Sequence, residues 1–171
     1  MTATPYQVPG PWSGTLAVVQ PPRGGSWLDA DVRDLRAVGV EVLVSMLSER
    51  EVEVLDLADE GAACERLGVE FLAFPFEDQG VPASVGATVA LAQDIAVRLF
   101  RGQSVGLHCR WGLGRSALIA AVVLANTGLD LSAAFEAIER ARGLGFPAAW
   151  DQRKWAEQFA TELAAPHAMA T

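Results

Sequence analysis

Apolar residues change their period several times along this chain, and each change marks an element. Residues 41–47, Glu41-Val42-Leu43-Val44-Ser45-Met46-Leu47, are almost continuously apolar, as in a strand covered on both faces. Shorter runs at 15–20, 69–74 and 104–107 also read as strands. Between them the spacing turns helical. Leu28, Val32, Leu35 and Val38 fall on one helix face, and Gly39 stops the helix. Ser48-Glu49-Arg50-Glu51 fits a capping box that opens a helical stretch through Val52, Leu55, Leu57, Ala62, Ala63 and Leu67. A break is expected near Gly61 and an end at Gly68. Residues 84–100 form a long amphipathic helix, and 117–126 are apolar all round, as in a buried helix. Residues 131–142 place Leu131, Ala134, Phe135 and Ile138 on one face, and 150–163 carry Trp155 and Phe159 one turn apart. Residues 75–82, with two prolines and a glycine, form a loop.

Strands alternating with helices imply an α/β fold, with a mostly parallel sheet of about four to five strands flanked by helices. Residues 1–14, rich in Pro, Gly and Thr, read as an irregular lead-in, 15–163 as one domain and 164–171 as a frayed tail. In such sheets ligands bind outside the carboxyl ends of the strands. Two loops leave such ends, 75–82 and 109–115, so Asp78 and Cys109 can meet although they are distant in sequence.

Composition narrows the function. With 171 residues, 51% of them hydrophobic, the chain can bury one real core. A net charge of −8 without a basic tract argues against nucleic acid and against anionic membrane as partners. No apolar run reaches a membrane span of roughly 20 residues; residues 84–100 come nearest, but Gln93, Asp94 and Arg98 interrupt them. The start carries no basic stretch followed by an apolar one, so no secretory leader is expected. Of the two cysteines, Cys64 reads as core packing. Cys109 lies in a glycine-bearing loop where a reduced thiol is useful, which implies a reducing, cytoplasmic compartment. Two histidines, one of them His167 in the tail, give little support for a metal site, and no cofactor is expected.

The chemistry concentrates in His108-Cys109-Arg110-Trp111-Gly112-Leu113-Gly114-Arg115-Ser116, between a buried strand and a buried helix. Loop N–H groups and a helix N-terminus make an anion cradle. Gly112 and Gly114 let the backbone turn its N–H groups inward. An arginine and a helix start beside a thiol favour its thiolate, so Cys109 is the candidate nucleophile. A cation at a helix start is poorly placed unless it faces an anion, and a guanidinium suits phosphoryl oxygens; Arg115 is the candidate clamp. Ser116 is either a plain cap or a hydrogen-bond donor to the sulfur, and His108 is given an orienting role. A leaving oxygen needs a proton, which a carboxylic acid on the 75–82 loop can supply. The residues alone leave Asp78 and Glu77 both open. Glu51 is better explained by its cap than by catalysis.

The pattern His108-Cys109-x-x-Gly112-x-x-Arg115-Ser116 resembles the phosphate loop of the cysteine-based protein tyrosine and dual-specificity phosphatases. Phe74-Pro75-Phe76-Glu77-Asp78-Gln79-Gly80-Val81-Pro82 is similar to the acid loop of the atypical dual-specificity enzymes, which picks Asp78. Gly112-Leu113-Gly114-Arg115-Ser116, the stretch Ala137-Ile138-Glu139-Arg140-Ala141-Arg142-Gly143 and the pattern Gln152-x-x-Trp155-x-x-x-Phe159 resemble the cyclin-dependent-kinase-associated phosphatase subgroup. The resemblance implies a protein tyrosine phosphatase-like fold. It also implies a phosphocysteine at Cys109, Asp78 as acid and then base, and phosphoryl oxygens held by Arg115 and the loop from Arg110 through Trp111, Gly112, Leu113 and Gly114. The expected substrate is a phosphorylated protein or peptide carrying phosphotyrosine, with phosphoserine and phosphothreonine beside it. The alternatives are a non-protein phosphate ester (lipid, sugar or RNA end) and an inactive phosphate-binding module. No tyrosine-recognition loop is visible, which implies a shallow pocket. No lysine stands inside the loop, where phosphoinositide enzymes of this superfamily tend to carry them.

Overall fold

The structure, a computed structural model, describes residues 6–112, 114–143 and 150–164. Among the described residues five strands form one sheet: β1 (Tyr6–Val8), β2 (Thr15–Val18), β3 (Val42–Ser45), β4 (Glu70–Ala73) and β5 (Ser104–His108), in the order β1-β2-β5-β3-β4. β2, β5, β3 and β4 run parallel, and β1 lies antiparallel on β2 with Tyr6 opposite Val18. The α-helices among the described residues are, in chain order, α1 (Leu28–Ala37), α2 (Glu49–Val54), α3 (Glu60–Arg66), α4 (Val85–Phe100), α5 (Arg115–Asn126), α6 (Leu131–Arg142) and α7 (Trp150–Ala164). The predicted α/β class and the mostly parallel sheet are what the structure shows.

The sheet separates two cores. On one face Val105, Leu107 and Cys109 pack with α4, α5, α6 and α7; on the other Leu43, Ala63, Cys64 and residues of α1 pack together. Side chains alternate along a strand, so consecutive residues at the end of β5 point to opposite faces. Cys109 therefore belongs to the α5 core, and His108 turns toward Glu60 of α3 on the other face. Gly106 of β5 sits on that second face, where a Cβ would come within 3.2 Å of Val40. Ser84 caps α4, its hydroxyl accepting from the Ala87 N–H at 3.1 Å, and Gly143 closes α6 in a left-handed conformation, φ 76°.

Three expectations need correction. The lead-in is not wholly irregular, because β1 occupies Tyr6–Val8. A three-residue edge strand is too short to show alternation in sequence. The helical stretch after Ser48 breaks between α2 and α3, at residues 55–59, with Asp56 at φ 54°, while Gly61 lies inside α3. α7 runs through Ala164, one residue into the expected tail; residues 165–171 lie outside the described residues. No helix among the described residues is long and apolar enough to cross a membrane.

Candidate active site

Parallel strands end at one rim of the sheet, and the loops that leave β5 and β4 meet there. Cys109 is the first residue beyond β5 and is 2% exposed. The loop turns at Gly112, φ 64°, where a Cβ would press on the Gln20 amide at 3.1 Å. Gly114 caps α5, and Arg115 is the first residue of that helix.

Arg115 has no exposed surface, and what it touches explains why a charge can be buried there. Nη1 donates to Glu51 Oε2 at 2.6 Å, the Phe76 carbonyl at 2.9 Å and the Met46 carbonyl at 3.0 Å. Nη2 donates to Glu51 Oε1 at 2.7 Å, making the pair two-pronged. Nε lies 3.6 Å from Asp78 Oδ1, an ion-pair distance just beyond a hydrogen bond. One guanidinium thus ties the chain just after β3, the start of α2 and the 75–82 loop to α5. Burial opposes its charge, but the Glu51 hydrogen bonds and the charges of Cys109, Glu51 and Asp78 hold its pKa above the ordinary value. Burial likewise opposes an ionised Glu51; hydrogen bonds from Arg115 and the Ser48 N–H outweigh it and hold the carboxyl below its ordinary 4.5. Glu51 therefore does two things. Oε2 accepts from the Ser48 N–H at 2.9 Å, as the capping pattern predicts, and the same carboxylate pairs with Arg115.

Asp78 sits in a turn closed by the Gly80 N–H donating to the Glu77 carbonyl at 2.9 Å, with Gln79 at φ 59°. Both Asp78 and Glu77 are exposed, but the Asp78 carboxylate leans toward Arg115, whereas Glu77 lines an outer groove with Ser48, Glu49 and Arg50. Trp111 is 58% exposed; its carbonyl accepts from Gln20 Nε2 at 3.3 Å, and the Arg110 guanidinium carbon lies 5.4 Å from its ring centre. Leu113 lies outside the described residues. His108 is fully buried, with Nε2 2.8 Å from Glu60 Oε1, a contact angled away from hydrogen-bond geometry. Ser116 Oγ is buried under the loop and makes no hydrogen bond among the described residues. The fold therefore gathers Cys109, Gly112, Gly114, Arg115, Ser116 and Asp78 at one rim and sends the His108 ring to the other face.

The sequence reading missed two residues. Glu51 carried a signal, but the cap consumed it. Gln152 of α7 is 1% exposed, and its Nε2 donates to the Gly80 carbonyl at 3.0 Å; in sequence it stands out only through its spacing to Trp155 and Phe159. Burial pushes the hydroxyl of Tyr6, carried in by β1, up to about 12, with Arg142 opposing the shift and Cys109 adding to it. No group of three or more His, Cys, Asp or Glu side chains that could hold a metal occurs among the described residues.

No family model matches the chain. It is 24% identical over 140 residues to cyclin-dependent kinase inhibitor 3 of Rattus norvegicus, covering 81% of this chain and 66% of that protein, a little under two thirds of its length. Among solved structures it resembles kinase associated phosphatase with its catalytic-site cysteine substituted by serine: TM-score 0.86, 18% identity, 95% of this chain and 97% of that one. It also resembles PTPMT1 in complex with PI(5)P, with TM-score 0.69, 23% identity, 85% of this chain and 91% of that one. The chain has the fold of these solved structures.

Proposed function

We propose that the chain is a phosphoric monoester hydrolase acting on phosphoproteins, chiefly at phosphotyrosine, with phosphoserine and phosphothreonine as further substrates. The observation that carries this reading is the convergence on one rim of a buried thiol, a buried guanidinium and a carboxylate 3.6 Å from that guanidinium. Cys109 attacks phosphorus as a thiolate; the P–S bond forms as the P–O bond to the leaving group breaks. Asp78 gives its proton to the leaving oxygen. Its carboxylate then takes a proton from water, the water oxygen attacks phosphorus, and the P–S bond breaks to release phosphate and restore the thiolate. Arg115 and the loop N–H groups hold the equatorial oxygens throughout. The half-buried Arg110 and the exposed Trp111 stand at the mouth, where the leaving group would rest. The free thiols Cys64 and Cys109 fit a reducing, cytoplasmic setting.

The test is turnover of p-nitrophenyl phosphate under reducing conditions with EDTA present. Release of p-nitrophenol is expected, and a silent wild type overturns the reading in favour of a phosphate-binding module. Likeness to the complex of PTPMT1 with PI(5)P supports a second reading, a lipid phosphate ester. A panel of phosphopeptides beside PI(5)P separates the two: faster peptide turnover is expected, and faster lipid turnover reverses the order.

A further inference from the structure

We propose that Gln152 is a positioning residue that clasps the loop bearing Asp78 against the phosphate loop. The inference rests on the phosphatase reading above and names a part of that site which neither loop supplies.

Gln152 lies in α7, more than seventy residues from Asp78 in sequence, yet its amide bonds the loop of Asp78 and lies beside the cap of α5. A buried amide must find partners or lose the hydrogen bonds it made with water. Nε2 finds the Gly80 carbonyl at 3.0 Å. Its orientation follows from the chemistry, since only the nitrogen end can donate to a carbonyl. The other end packs over Gly114, the cap of α5; a Cβ there would lie 3.4 Å from Oε1 and 3.7 Å from Nε2. The helix that carries Gln152 is itself anchored. Trp155, Ala156 and Phe159 are buried in the α5 core, and the two rings stack with centres 5.5 Å apart.

The turn bearing Asp78 is therefore pinned on both sides. Before it, the Phe76 carbonyl accepts from Arg115; after it, the Gly80 carbonyl accepts from Gln152. Between the pins the turn has one backbone hydrogen bond of its own, Gly80 N–H to Glu77 carbonyl. The Arg115 pin cannot be removed without losing the oxyanion clamp. The Gln152 pin can, because its amide meets only the Gly80 carbonyl and the cap of α5 among the described contacts. Without it the turn would spend less time with its acid over the pocket, as happens when a closing loop loses its latch. Turnover of an ester that needs its leaving oxygen protonated would fall, and binding of the phosphoryl group would not.

The experiment compares Gln152→Met and Gln152→Glu with wild type. Methionine keeps the bulk, and an ionised glutamate keeps the shape but cannot donate. Each is assayed on phenyl phosphate, a poor leaving group, and on p-nitrophenyl phosphate, a good one. Hydrogen exchange of the amides at 76–81 is followed without substrate. The expected result is a kcat loss of about tenfold on phenyl phosphate but under about twofold on p-nitrophenyl phosphate, with KM unchanged and faster exchange at 76–81. Equal losses on both esters, no loss, or unchanged exchange overturn the clasp. Should wild type turn over neither ester, the phosphatase reading falls, and the exchange arm still decides the clasp.

Discussion

Cys64 lies in α3 on one face of the sheet, without exposed surface. Burial, with the Glu60 carboxylate adding to it, pushes its thiol up to about 12. Cys109 lies past the end of β5 on the other face, 2% exposed. It neighbours the Arg115 guanidinium, the loop glycines and the start of α5. The two sulfurs are buried alike, so burial does not tell them apart. What differs is the sign of the charge each one faces and the presence of a rim where strands end. A thiol packed inside one layer has no route to a ligand; a thiol at the carboxyl end of a central parallel strand meets the loops that leave its neighbours.

The sharpest way to break this comparison is to change each sulfur to oxygen. Cys109→Ser is expected to abolish turnover, a loss on the order of 10⁴-fold or more in kcat, while tungstate still binds. Cys64→Ser is expected to keep kcat within about twofold and to lower the melting temperature, since a hydroxyl replaces a packed thiol. Comparable kinetic losses in both variants would erase the distinction. Next comes Asp78, the carboxylate on the loop that reaches the rim beside Cys109. Asp78→Asn should cut kcat by roughly 10²–10⁴, and Glu77→Gln should stay within about threefold. The reverse ranking would reassign the acid.

The third change tests the counter-charge. Glu51→Gln leaves the buried Arg115 short of a full negative partner and should cost about 3–5 kcal/mol in urea unfolding. The lowered Glu51 pKa sets the sign with pH. Its stabilising share is complete above the unfolded-state value near 4.5 and is lost as pH falls through the lower folded-state value. Wild type should therefore show a loss of stability below 4.5 that the glutamine variant partly lacks.

Much of this was readable from the sequence. β3, α1 and α6 follow from runs and periods that local sequence encodes, and the loop at 108–116 is contiguous. The parts that were not legible have physical reasons. The cap fully accounted for Glu51 at a spacing of three, so nothing local asked for a partner 64 residues away. Asp56 takes a left-handed conformation that usually marks glycine, and this moved the α2–α3 break away from Gly61. Gln152 shows its purpose only when α7 is packed against α5, because its amide bonds the loop of Asp78 and lies beside the cap of α5, which the sequence keeps apart.

The burial of α5 also bears on how this molecule could change. Every residue from Arg115 to Ala125 is buried, so the helix has no free side on which to absorb a substitution. A saturation library spread evenly over the chain would find that stretch nearly silent, returning misfolded clones where new specificities were sought. The adaptable ground lies at Arg110 and Trp111, whose side chains reach the surface. Those two codons are where a search for altered substrate range should begin.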